Sequence, residues 1–139
     1  MYGIGYETDP DTGARKGVKL AMFDVSDPVN LSVLDSVCII NADYSPAMSQ
    51  YKTILTDVNN NLIGFAVTEY QKGESNTYLL FQWRDGAVEN ILTVEIGRGA
   101  DLVRGVYAGE YFYIVTMDEV IGYSRTDGFA ELGKLSLGE

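Results

Sequence analysis

The sequence predicts an all-β chain of three tandem antiparallel units, and three observations carry that prediction. Apolar residues recur with period two in short runs bounded by Gly, Asn, Asp and Pro. No stretch of helical length sustains an apolar stripe at i, i+3, i+4 and i+7. The chain also repeats itself, with equivalent aromatic residues 58 and 42 residues apart. Ten tyrosines and five phenylalanines, together with many Val, Ile and Leu, suit half-buried pleated surfaces.

Taken in order, strands are expected near residues 2–6 (in MYGIGY), 18–24 (VKLAMFD) and 31–39 (LSVLDSVCI), each alternating in character. A second group follows near 49–56 (SQYKTILT), 62–69 (LIGFAVTE), 76–83 (NTYLLFQW) and 88–95 (VENILTVE). The last group lies near 102–107 (LVRGVY), 111–116 (YFYIVT), 119–124 (EVIGYS) and 130–136 (AELGKLS).

The repeat is clearest in FDVSDPVNLSVLDSV, FQWRDGAVENILTVEI and YSRTDGFAELGKLSL. Each begins with an aromatic residue (Phe23, Phe81, Tyr123). Asp27, Asp85 or Asp127 comes four residues later, followed by Pro28, Gly86 or Gly128 and an alternating strand. Asp before Pro or Gly is turn chemistry: the carboxylate bonds nearby backbone and the next residue accepts a restricted or left-handed φ. Upstream of each lies a matching strand, and upstream of the last two lies one more. Four antiparallel strands per unit of about 40 to 50 residues describe β-propeller blades. The expected fold is therefore a propeller fragment of about three blades (1–40, 47–97 and 101–138), the first lacking its innermost strand. An eleven-stranded sandwich or barrel is the alternative, and the repeated corner argues against it.

Composition narrows the function. A length of 139 residues with 46% hydrophobic content supplies one domain with a core. Twenty acids against ten bases give a net charge of −10, which repels phosphate backbones and anionic lipid, so no nucleic-acid partner is expected. No apolar run approaches the roughly 20 residues that span a bilayer, and Met1 leads into an alternating strand rather than a signal peptide. The absence of histidine removes the usual general base and every Ser-His or Cys-His pair. Cys38, in LDSVCII, reads as a small buried apolar residue.

The run GVKLAMFDVSDPVNLSVLDSV, preceded by MYGIGY and followed by YKTILTDVNNNLIGFAV and VYAGEYFYIVTMDEVIGY, resembles bacterial secreted proteins with a C-terminal β-propeller domain distantly related to WD-40 repeats. The resemblance covers essentially the whole chain. It implies a propeller fold and an extracytoplasmic setting, with export or anchoring by an N-terminal segment, and it implies no catalytic residues.

Several motifs invite a functional reading. In DVNNNLIGF, Asp57, Asn59 and Asn61 have the spacing of a calcium loop, but Leu62 stands where such a loop needs Gly and Thr68 where it needs an acid. These oxygens are expected to turn the chain between strands. Glu7, Asp9 and Asp11, in YETDPDTGARKG, form the other cation candidate, for weak calcium binding. SRTDGF lacks the spacing of the Ser-x-Asp-x-Gly box of sialidases, and no Trp-Asp pair ends a blade. In a four-stranded meander, the loop after the second strand and the exit from the fourth share one face. That face gathers Glu7, Asp9, Asp11, Asp43, Tyr44, Glu69, Glu74, Arg98, Asp101, Asp118 and Glu119, and loops on a rigid scaffold are the usual seat of binding.

The function expected from these features is non-catalytic: a binding or scaffolding segment that contacts a protein or carbohydrate through Glu7, Asp9, Asp11, Asp43, Tyr44, Arg98, Asp101 and Asp118, with no required cofactor. The alternative is a carboxylate-based hydrolase, acting on sugars or assisted by a metal, on the same face. Three blades leave two apolar end faces open, so the chain is expected to self-associate or to pack on further blades.

Overall fold

The computed structural model describes residues 1–138 and contains three antiparallel sheets. The first is β1 (Tyr2–Thr8), β2 (Arg15–Asp24) and β3 (Ser32–Ile40). The second is β4 (Leu55–Asp57), β5 (Leu62–Glu69), β6 (Ser75–Arg84) and β7 (Ala87–Ile96). The third is β8 (Arg104–Ala108), β9 (Tyr111–Val115), β10 (Glu119–Ser124) and β11 (Glu131–Ser136). Within each sheet the strands pair in chain order, so each is a simple meander. The first has three strands and lacks a counterpart of β4 and β8.

The sheets stack as blades face to face. Between blades 1 and 2, Val18 and Leu20 meet Ile63, Phe65, Val67, Leu79 and Phe81, with Tyr2, Ile4 and Met22 at the margin. The Phe65 and Phe81 rings stack at 5.6 Å between centroids. Between blades 2 and 3, Leu62, Ala66, Tyr78 and Leu80 meet Phe112, Ile114, Ile121 and Tyr123. Burying each such large side chain stabilises by roughly 1.5–3 kcal/mol, which makes these two seams the core. Alternation explains the sorting, because successive residues of a strand in a middle blade face opposite seams. Every residue of β5 from Leu62 to Thr68 is therefore buried.

The repeated corner behaves as its chemistry dictates. Asp85 and Gly86 both take positive φ (54° and 81°), forming a tight hairpin between β6 and β7. Asp27 instead accepts from Val29 N at 2.9 Å and from the Asn30 amide at 2.6 Å, holding a longer loop.

One expected strand is corrected. Most of residues 49–56 is not extended: two 3-10 turns, Pro46–Met48 and Tyr51–Thr53, come first, and only Leu55–Asp57 pairs. Ser45 caps the first turn by accepting from Ala47 N at 3.2 Å, and Pro46 presets the helical φ. Likewise Leu102 belongs to the short turn Ala100–Leu102 rather than to β8.

Candidate functional site

The hydrogen bonds between loops show which ones share a face. Tyr44 and Thr68 form an antiparallel bridge, with Thr68 N donating to Tyr44 O at 2.8 Å. Asp43 Oδ2 accepts from Tyr70 N at 2.8 Å, which ties the segment after β3 to the turn after β5. Asn76 Nδ2 donates to Gly97 O at 3.2 Å, adding the exit from β7. Three separate loops are thereby fixed to one another above blade 2.

Between them lies a cleft of about 200 Å³ lined by Tyr44, Gln50, Thr68, Tyr70, Glu74, Asn76, Gly99, Ala100 and Asp101. Its floor is rigid: Thr68 and Asn76 are buried, and Thr68 Oγ1 donates to Asn76 Oδ1 at 2.6 Å. Asn76 Nδ2 also donates to Glu74 Oε1 at 3.1 Å, orienting that carboxylate. Tyr70 stands 56% exposed at the rim. Gly99 closes the far wall with φ of 83°, where a Cβ would fall 2.8 Å from Met117 Sδ. Two phenolic rings, two carboxylates and two amides line one space, so the cleft offers apolar ring faces and hydrogen-bond acceptors together.

Of the residues singled out from sequence, Tyr44 and Asp101 line this cleft, and Asp43 supports it through Tyr70 N. Arg98 and Asp118 lie exposed in the neighbouring loops and do not line it. The position of a Cβ on Gly97 would be 3.2 Å from Asp118 Oδ2, so that carboxylate leans on the exit from blade 2.

Glu7 lies near the end of β1 and Asp9 and Asp11 in the loop after it, and none of the three lines this cleft. Glu7 pairs with Lys19 at 2.5 Å and Asp9 with Lys16 at 3.2 Å. Asp9 Oδ1 also accepts from the backbone N of Asp11 and Thr12, and these bonds, the Thr12 one above all, with Lys16 lower its pKa to about 2. Among the described residues no three acids, cysteines or histidines converge as metal ligands. Cys38 is half-buried, and burial with the nearby Glu7 charge raises its pKa, leaving a thiol of low reactivity.

Sequence reading missed Tyr70, Gln50, Thr68 and Asn76 as cleft residues, and it also missed a partner of Asp57. The turn at 58–61 does form, with Asn61 at φ of 55°. Asp57, however, is 1% exposed, accepts from Asn60 Nδ2 at 2.7 Å, and receives Arg125 Nη2 from blade 3 at 2.9 Å. Arg125 also donates to Gly109 O at 2.9 Å and lies over the Tyr107 ring. The clasp lies across the seam from the cleft, at the opposite ends of the strands.

Stacked antiparallel meanders of three, four and four strands are the blades of a β-propeller fragment, and a loop-built cleft lies at one end of the stack. Residues 1–127 match the family model described as the Beta propeller domain, and the chain belongs to that family. No curated protein matches it, and no solved structure does. Among the described residues no helix is long and apolar enough to cross a membrane.

Proposed function

We propose that the chain is a non-catalytic binding or scaffolding segment of a β-propeller, distantly related to WD-40 repeats, in an exported bacterial protein. Its contact surface is the loop face, centred on the cleft of Tyr44, Tyr70, Glu74 and Asp101. One observation carries this: a rigid hydrogen-bonded floor presents two tyrosines and two carboxylates from three different loops into one cleft.

That chemistry suits a neutral carbohydrate better than a basic protein segment. The CH faces of a sugar ring stack on a phenol, and its hydroxyls donate to carboxylates and amides without a charge to balance. Export and a bacterial source rest on the resemblance of GVKLAMFDVSDP and its flanking strands to secreted proteins. No cofactor enters this function.

Calorimetric titration with a panel of neutral oligosaccharides tests the proposal. Saturable binding is expected, weakened at least tenfold by Tyr70→Ala and by Asp101→Asn. Binding unchanged by both substitutions would place the contact elsewhere, and binding of basic peptides in place of sugars would make the ligand a protein. Turnover of the bound sugar would instead establish the carboxylate hydrolase.

A further inference from the structure

At the end of the stack opposite the cleft, the seam between the second and third sheets opens into a groove of about 350 Å³. Asn60, Leu62 and Gln82 line it from the second sheet, and Glu110, Arg125 and Phe129 from the third. Leu62 and Gln82 are cross-strand partners where β5 begins and β6 ends, so both face the seam. Glu110 sits in the turn between β8 and β9, and Arg125 and Phe129 in the loop between β10 and β11. The walls belong to two adjoining sheets, and the shape of the groove follows from their packing alone.

Its hydrogen bonding is one-sided. The terminal side-chain nitrogens each donate within the protein: Asn60 Nδ2 to Asp57 Oδ2 at 2.7 Å, Gln82 Nε2 to Asn60 O at 3.3 Å, and Arg125 Nη1 to Gly109 O and Nη2 to Asp57 Oδ2, both at 2.9 Å. Asn60 Oδ1, Gln82 Oε1 and the Glu110 carboxylate, by contrast, accept from no group among the described residues. The charges lean the same way. Arg125 is matched by Asp57 and Arg84 by Glu89, whereas Glu110 and, in the adjoining loops, Asp85 and Asp127 have no cationic partner among the described residues.

Phe129 supplies an apolar wall against its own backbone preference. It takes φ of 58°, left-handed backbone that a bulky side chain rarely adopts, next to Gly128 at 57°. The corresponding corner of the second sheet turns through Asp85 and Gly86 without a bulky residue. In the third sheet the Phe129 ring meets Phe112 edge to face, 5.9 Å between centroids, and lines the groove together with the buried Leu62.

Apolar walls among open acceptors with a surplus negative charge fit an ammonium group on an alkyl stem. An anion would meet the Glu110 carboxylate, and the one cation of the groove, Arg125, is already neutralised by Asp57. One ammonium has three donors, so the open oxygens of Asn60, Gln82 and Glu110 leave acceptors over for backbone N–H groups beside it. We infer that this groove receives a lysine side chain from a protein partner. The stem lies on Phe129 and Leu62, the ammonium reaches Glu110, and Gln82 and Asn60 accept from the adjoining backbone. The site is separate from the cleft and stands whether or not the cleft binds sugar.

Nitrogen-15 NMR titration of the chain with the end-blocked peptide Gly-Gly-Lys-Gly-Gly tests it. Saturable shifts are expected in the backbone of residues 109–110 and 125–129 and in the Gln82 side-chain amide. The same peptide with norleucine or acetyl-lysine in place of lysine should cause none. Glu110→Gln, at an exposed position, should weaken binding about tenfold or more, as the loss of one charge-assisted hydrogen bond does. Tyr70→Ala, in the cleft, should leave it unchanged. Butylammonium, which has the stem and the charge without the backbone, should bind about tenfold more weakly than the peptide.

Shifts that spread over the acidic surface without saturating, or binding retained in Glu110→Gln, would overturn the proposal. Equal affinity for butylammonium would make the ligand a free amine, and groove shifts with glutamate in place of the lysine would make Arg125 the contact. Either result would overturn it as well.

Discussion

Replacing Arg125 by Met removes one partner of the clasp across the second seam and leaves the Asp57 carboxylate almost fully buried. Arg125 is 14% and Asp57 1% exposed, and the pair is close, at 2.9 Å. Stranding a buried charge in this way costs about 3–5 kcal/mol. Asp57 keeps its bonds from Asn60, through the backbone N at 3.3 Å and the side-chain amide at 2.7 Å, so the lower figure of about 3 kcal/mol is expected. A domain of this size holds roughly 5–15 kcal/mol in all, and about 4 °C of Tm accompanies each kcal/mol, so the melt should move down by roughly 12 °C. Asp57→Asn removes the charge while preserving acceptance from Asn60 N, and should cost less. Combined with Arg125→Met it should cost less than the two single effects added, by about 2 kcal/mol, as groups in one network do. Urea melts of the four proteins measure that coupling. Strict additivity, or an Arg125→Met cost under about 1 kcal/mol, would show that the clasp does not hold blades 2 and 3 together.

Three further outcomes are expected. The Tyr78 hydroxyl is buried with no hydrogen-bonding group in reach among the described residues, and a Cβ on Gly105 would lie 2.1 Å from it. Tyr78→Phe should therefore raise stability by about 1 kcal/mol, and Gly105→Ala should be strongly destabilising in the wild type but partly rescued in the Tyr78→Phe background, as chemical melts will show. Burial raises the pKa of Tyr123 to about 12, with Glu131 and Glu119 adding to it, and pushes that of Tyr78 up further. A raised phenol pKa favours the folded state below the unfolded value near 10, so stability should decline from pH 10 towards 12, and less steeply in Tyr123→Phe. The Asp9 carboxyl should titrate near pH 2 by NMR, with the order of the 9–14 turn retained at pH 4 and lost only as pH falls through about 2; a midpoint near 3.8 would mean that the turn bonds do not form in solution.

The strands were legible in the sequence because alternation and turn residues are local signals. The pairs Phe23 with Asp27, Phe81 with Asp85 and Tyr123 with Asp127 even fixed which strands are equivalent. The turns at Pro46–Met48 and Tyr51–Thr53 were not legible, because SQYKTILT alternates well enough to read as a strand and the capping Ser45 lies just upstream. Asp57 was hidden more deeply. Its turn role is local and was read correctly, while its partner lies 68 residues away across a seam that no local pattern announces. Arg125 follows Tyr123 by two residues, where the other units carry Trp83 and Val25, and that departure from the repeat was the available signal.

The cleft was half legible. The geometry of a meander placed Tyr44, Glu74 and Asp101 on one face, but only the hydrogen bonds among Asp43, Tyr70, Thr68 and Asn76 show that their loops converge. An aromatic residue within the polar turn EYQKGES was the clue to Tyr70.

Because β5 is enclosed from Leu62 to Thr68 while each terminal sheet contacts the stack on one side only, cooperativity in this chain runs along a line. Each seam acts as a nearest-neighbour coupling, and the central sheet holds two such couplings where its neighbours hold one. Amide exchange should then be graded, slowest in the backbone of Ile63 to Val67 and faster outward through β1 and β9, with the ends opening while the centre stays folded. A partly opened species of that kind is a single sheet with both faces bare and β4 as its exposed inner edge, and it is the form most prone to add onto other chains.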